Sequence, residues 1–367
     1  MWWEALLSTV VPSRDSIEEI MKNLVTLAEW QHTSPALTKC ALWALGLSLS
    51  FVLNLYLLVP RPVRRLPRDD PRHIQWRMIS TGITVLVSLI IYPYLFTERE
   101  SDQVPMTSLW NLESFHATLH HLGFWGRRSG FHWGYVLHAL MPYFGSIVNF
   151  LLEIHYRVSI YNISTRHTQK PKAHYILQVI ETFVQRLFLP FRRRTYGSGP
   201  WAGIRNILVA PLVEEVIFRA CTITPYLHTI AYTSGQVSMT TVCWTTPLFF
   251  GLAHVHHAFR MMRSHENPKR ILIQTAFQFL YTTLFGAYAS LWYIKTRSIG
   301  VVFLLHSFCN YMGLPSMYFT GGVEKGMSVD LPHLYHIYRR IVLLSFVAGG
   351  LGFVLGFTRF WNPFERL

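Results

Sequence analysis

Residues 206–221 read NILVAPLVEEVIFRAC. Most of the segment is apolar, yet Glu214, Glu215 and Arg219 fall within six residues of one another. A helix in water can turn such side chains outward. A helix in lipid cannot, and there a lone charge at the centre costs about 3 kcal/mol or more. The meaning of the three residues therefore depends on the solvent. The chain has 367 residues, of which 51% are hydrophobic and 14% charged. An ordinary soluble domain carries about a quarter charged residues, so the composition points to a bilayer.

Apolar windows elsewhere agree. Residues 37–59 and 78–96 are each long enough to cross a bilayer, which takes about 20 residues. Further windows fall at 134–154, 207–227, 237–256, 271–294, 299–319 and 340–357, giving about eight spans. The expected fold is all-α: a polytopic integral membrane helix bundle with a buried polar site. Its net charge is +14, from 33 Lys+Arg against 19 Asp+Glu. The basic residues gather in loops between apolar windows, above all at 60–77 and 157–203. That is a membrane-topology pattern rather than a nucleic-acid footprint, and the positive-inside rule assigns both loops to the cytosol. The segment 1–12 has no basic start and carries Glu4, so no cleavable signal peptide is expected. Segments 13–32 and 174–191 have helical apolar stripes. The second ends in Arg192-Arg193-Arg194 and reads equally as a leaflet-surface helix or as a helix packed on the bundle. Gly349, Gly350, Gly352 and Gly356 predict close helix approach in the last window.

Within 206–221, Glu215 and Arg219 are at i and i+4 with the acid first, the favourable order for an ion pair. They are expected to neutralise each other structurally. Glu214 points about 100° away and has no local partner. Two readings stand for it: a functional carboxylate, or a protonated one bonded to a neighbouring helix. Residues 249–257, FFGLAHVHH, put His254 inside a window, with His256 and His257 at its end. Residues 303–313, FLLHSFCNYMG, put His306 and Asn310 at i and i+4 on one face. A single His or Asn in such a place commonly joins helices. Glu, His, His and Asn on three separate apolar segments can meet only inside a bundle.

A carboxylate beside an imidazole can hold and deprotonate a water. A second imidazole and an amide can donate to a developing oxyanion. The same side chains could instead hold zinc, although neither HExxH nor a thiolate cluster is present. The four cysteines, Cys40, Cys221, Cys243 and Cys309, lie in or beside apolar windows without metal-type spacing and read as packing. A nucleophilic role for Cys221 or Cys309 would need exposure and a cationic neighbour.

Three motifs carry a family resemblance: Glu214-Glu215-x-x-x-Arg219, Phe250-x-x-x-His254 and His306-x-x-x-Asn310. With the preceding RNILVAP, they resemble the type II CAAX prenyl endopeptidases, the Ras-converting endopeptidases of the ABI family of membrane proteins. The resemblance covers roughly 134–320, read as a catalytic membrane core. Residues 1–133 then form N-terminal membrane segments and 321–367 a C-terminal span and tail. It implies an intramembrane, glutamate-type protease without metal or other cofactor. Glu214 and His254 would activate water, His306 and Asn310 would line the oxyanion hole, and Glu215, Arg219 and Phe250 would support them. The implied substrates are farnesylated or geranylgeranylated CaaX proteins such as Ras-like GTPases, losing their last three residues. The implied place is the endoplasmic reticulum membrane, with the site reached from the cytosol and no nucleic-acid partner. Two alternatives stand beside this: a zinc-dependent intramembrane protease using Glu214, His254 and His306, and a polytopic scaffold or transporter.

Overall fold

The computed structural model describes residues 35–96, 112–124, 133–164, 177, 180–181, 183–184, 200–232, 239–263, 267–313 and 332–361. These contain helices and turns and no strand. The long elements are α1 (Pro35–Leu57), α2 (Pro71–Phe96), α3 (Leu112–His121), α4 (Trp133–Leu140) and α5 (Phe144–Ser164). A composite helix, α6, runs from Pro200 to Tyr232. Then come α7 (Met239–His254), α8 (His256–Arg263), α9 (Pro268–Thr296), α10 (Ile299–Met312) and α11 (Pro332–Trp361). The main core gathers Leu47 and Phe51 of α1, Leu89 of α2, Ile217 and Phe218 of α6, Phe250 of α7, Trp292 of α9 and Val302 of α10.

Among the described residues, four helices are long and apolar enough to cross a membrane by length and composition: Leu37–Leu57, Pro71–Phe96, Leu137–Tyr156 and His336–Gly356. The expectation of about eight spans is thus corrected in form. Helices α6, α7, α9 and α10 occupy the described parts of the other four windows, but each is short, changes register or carries polar side chains. Helix α7 has 16 residues and α10 has 14. Helix α9 has 29, with Gln274, Gln278 and Thr282 at successive i+4 positions facing a cavity. Helix α6 alternates α turns with two π stretches, Ile204–Val209 and Val216–Cys221. The interruptions have a common cause: these four helices wall the polar site described below.

The prolines of α6 explain how it is held. Pro211 has no N–H to give the Ile207 carbonyl four residues back, and Ser307 Oγ of α10 donates to that oxygen at 2.6 Å. Ala210 N–H is bonded to Arg205 O in the π register. Asn206 O therefore receives no N–H from Ala210 or Pro211. It accepts from Asn310 Nδ2 of α10 at 2.9 Å. Pro225 repeats the pattern at Cys221 O, which accepts from Trp43 Nε1 of α1 at 2.9 Å. Each gap in the helix ladder becomes a tie to another helix, as a buried carbonyl requires.

Short connections fix the neighbours. Helix α9 starts at Asn267, whose side chain accepts from Lys269 N at 2.9 Å, and ends at Arg297 in the left-handed region, φ 49°. Ser298 then caps α10. Gly123, φ 80°, lies so close to Arg297 that a side chain there would strike its carbonyl. Helices α7 and α9 also touch through glycine. A Cβ on Gly251 would overlap Thr283 Oγ1 and stand 3.1 Å from the Phe279 ring. Gly251→Val is expected to lower stability by about 1–3 kcal/mol through overpacking, read as a drop in unfolding midpoint in mild detergent. Three of the four expected close-approach glycines meet neighbours: Gly349 at Met141 and Phe144, Gly352 at the Met141 sulfur, and Gly356 at the His138 ring. Gly350 faces open space. Segment 13–32 lies outside the described residues. Of 174–191, only 177, 180–181 and 183–184 are described; they are helical, with Leu177, Ile180, Phe183 and Val184 exposed.

Candidate active site

Helices α6, α7, α9 and α10, with α1 and α2, enclose a cavity of about 710 Å³. Glu214, Phe250, His254, His306 and Asn310 all line it. The four polar residues expected to meet do share one space, brought there from three helices. Glu215 and Arg219 stand behind that wall, 0% and 1% exposed at their side chains.

Glu215 does more than neutralise Arg219. Its Oε2 lies 3.1 Å from Arg219 Nε, as the i, i+4 spacing predicts. Its Oε1 lies 2.6 Å from His306 Nδ1, across 91 residues of sequence. A carboxylate only accepts, so Nδ1 carries the proton and donates it. The second nitrogen of His306, Nε2, then faces Glu214 Oε2 at 3.8 Å. The imidazole is therefore suspended between both glutamates of the pair. Phe285 flanks it at 4.8 Å between ring centroids. The Arg219 guanidinium lies 4.5 Å from the Phe250 centroid and 5.9 Å from that of Phe285. Its Nη atoms find aromatic faces there rather than hydrogen-bond acceptors among the described residues.

His254 is oriented differently. Its Nδ1–H donates to the Phe250 carbonyl one turn back, at 2.8 Å. In the neutral ring that leaves Nε2 with a lone pair. The Phe250 ring packs at 4.6 Å from the His254 ring and 5.1 Å from Phe218. Phe250 thus fixes His254 through its backbone and supports Arg219 through its ring. Asn310 spends one amide N–H on Asn206 O and keeps the other.

Such a set can hold a water between a carboxylate and a basic nitrogen and can present N–H groups to an oxyanion. Among the described residues, no three His, Cys, Asp or Glu side chains converge as a metal ion would need. Cys221 is fully buried, and Cys309, at the cavity wall, is 9% exposed. Neither has the exposure of a nucleophilic thiolate.

Residues 196–312 match the family described as Type II CAAX prenyl endopeptidase Rce1-like. That segment of the chain is similar to the type II CAAX prenyl endopeptidases. It is 28% identical to CAAX prenyl protease 2 of Saccharomyces cerevisiae over 279 residues, 74% of this chain and 78% of the yeast protein. It is 28% identical to CAAX prenyl protease 2 of Arabidopsis thaliana over 318 residues, 84% of this chain and 85% of the plant protein. Identity to the human CAAX prenyl protease 2 is 41% over 115 residues, 31% of this chain and 33% of the human one. No solved structure matches significantly. The matched endopeptidase segment 196–312 spans α6 to α10, which carry Glu214, His254, His306 and Asn310.

Several cavity residues escaped the sequence reading. Arg68 and Arg77 come from the region around α2, and Arg205 and Asn206 from the first π stretch. Ser307 ties α10 to α6. Pro211 is the signal that could have found the last two contacts, because a proline in a helix frees a carbonyl that some side chain must meet.

Proposed function

We propose that this protease removes the C-terminal aaX tripeptide from farnesylated or geranylgeranylated CaaX proteins, Ras-like GTPases among them. It would work in the endoplasmic reticulum membrane, with its site open to the cytosol. The observation that supports this most is the shared cavity of Glu214, His254, His306 and Asn310.

In this reading Glu214 and the His254 Nε2 lone pair hold a water against the carbonyl carbon of the prenylcysteine. The water oxygen bonds to that carbon as Glu214 takes its proton. The carbonyl oxygen becomes an oxyanion, met by the remaining Asn310 N–H and by His306. Because His306 Nδ1–H is engaged by Glu215, the ring donates from Nε2 only when doubly protonated. Collapse breaks the C–N bond, and the proton held by Glu214 passes to the departing amine. The products are a prenylcysteine carboxylate and a free tripeptide.

The surroundings suit such a substrate. A second cavity, about 480 Å³, adjoins the first and shares Tyr281, Phe285 and Cys309 with it. Among the described residues it is bordered by Trp244, Leu284, Phe346 and Phe353 and by no charged side chain. Its volume is that of a small-ligand site, ~300–1,000 Å³, and its lining is that of a lipid-chain site. The basic residues at the first cavity, Arg68, Arg77 and Arg205, lie by the loops that the positive-inside rule assigns to the cytosol.

The test is tripeptide release from a farnesylated CaaX peptide and its unprenylated twin by the purified protein in detergent. Burying even four methylenes contributes ~3 kcal/mol, so the prenylated peptide is expected to lead by at least about 100-fold in kcat/KM. Gly350→Phe, which points a ring into the second cavity, is expected to raise KM several-fold with kcat retained. Equal cleavage of the two peptides would refute the substrate class.

A further inference from the structure

An enzyme that cuts three residues from a chain end can sense that end as well as the prenylcysteine, and the end is an α-carboxylate. Among the described residues that line the catalytic cavity, Glu214 is the only acid, whereas Arg68, Arg77 and Arg205 are all on its wall. Arg205 is the best defined. Its Nε donates to Asn206 Oδ1 at 2.9 Å. Its Nη2 is 3.5 Å from Asp69 Oδ1, on a side chain that is 58% exposed. Its Nη1 is buried and has no hydrogen-bond partner among the described residues. A buried guanidinium N–H without an acceptor is unfavourable, and here it borders the cavity where a substrate tail would lie. The exposed Asp69 contact is weak enough to yield to a better carboxylate.

The spacing fits. Arg205 and Glu214 are nine residues apart on α6, at most about 13 Å along the axis. On an ideal α-helix, nine residues at 100° each would put them on opposite faces. The π stretch Ile204–Val209 winds more slowly, and both line one cavity. Three extended residues span about 10 Å, and the reach of the arginine side chain covers the remainder. Asn206, next to Arg205, supplies the carbonyl that anchors Asn310, so one short segment joins the two features.

We propose that Arg205, flanked by Arg68 and Arg77, binds the C-terminal carboxylate of the substrate and so sets the length of the fragment released. This rests on the endopeptidase reading above. Arg205 is then a specificity-determining residue, distinct from the groups that activate water.

The experiment compares a farnesylated CaaX peptide ending in a free carboxylate with the same peptide ending in a carboxamide. Full-length wild type, Arg205→Gln and Arg205→Lys are each assayed in detergent. Wild type is expected to prefer the carboxylate by about 10–100-fold in kcat/KM, mainly through KM, since a charge-assisted bond is lost. Arg205→Gln is expected to cut both peptides at similar low efficiency, and Arg205→Lys to keep part of the preference. The wild-type comparison stands even if a variant folds poorly. Equal cleavage of both peptides by wild type, or an undiminished preference in folded Arg205→Gln, would overturn the proposal while leaving the endopeptidase reading intact. Failure of wild type to release tripeptide from either peptide would overturn both.

Discussion

Arg219→Ala is expected to remove most of the folded protein, lowering stability by about 3–5 kcal/mol. Arg219 is 1% exposed and pairs with Glu215, itself fully buried. Truncation leaves that carboxylate in the core without a counter-charge. It also removes the cation from beside the Phe250 and Phe285 rings, opening a void between α6, α7 and α9. The damage would reach the cavity, because Glu215 also holds His306 Nδ1. Arg219→Lys keeps the charge but loses the planar stacking, and is expected to fall between wild type and alanine. The readouts are folded yield and unfolding midpoint in mild detergent. An Arg219→Ala protein that folds as well as wild type but has lost all turnover would move Arg219 from scaffold to chemistry.

The helices and the polar cluster were legible in the sequence because each of the three motif segments carries polar residues where lipid forbids them. Glu214, His254, His306 and Asn310 stood out by that contrast alone, and the i, i+4 spacing was enough to pair Glu215 with Arg219. What stayed hidden depends on register and distance. The bond from Glu215 to His306 joins residues 91 apart, and no local rule links them. The π stretches of α6 shift which faces its residues present, so Arg205 joins Glu214 in one cavity against the expectation for a plain α-helix. Window counting gave about eight spans because it measures mean apolarity. It could not register that α7 and α10 are short, or that α9 turns Gln274, Gln278 and Thr282 towards a cavity. Residues 1–133 carried no motif, yet Phe51, Leu55, Arg68, Arg77, Met78 and Thr81 help to enclose the site. A wall can be built from many side chains, and so it leaves little signature.

Glu214→Gln is expected to lower turnover by about 10²–10⁴-fold, the usual contribution of a general base, with little change in stability. The replacement is isosteric. The Glu214 side chain is 15% exposed, and its ion contact with His306 Nε2 is a long 3.8 Å. Its loss therefore uncovers no buried charge of the kind Arg219→Ala leaves behind. Substrate binding is expected to persist, so the loss should fall on kcat rather than KM. The chemistry should fail because glutamine cannot take the proton of the attacking water, whatever His254 and Asn310 still provide. The deciding measurement is the mass-spectrometric detection of tripeptide released from a farnesylated CaaX peptide. Wild type and Glu214→Gln are assayed side by side after matching for unfolding midpoint. Rapid release by wild type, and release slowed by two to four orders of magnitude in Glu214→Gln, is the predicted result. Equal release by both proteins would contradict it and take the water-activating role away from Glu214.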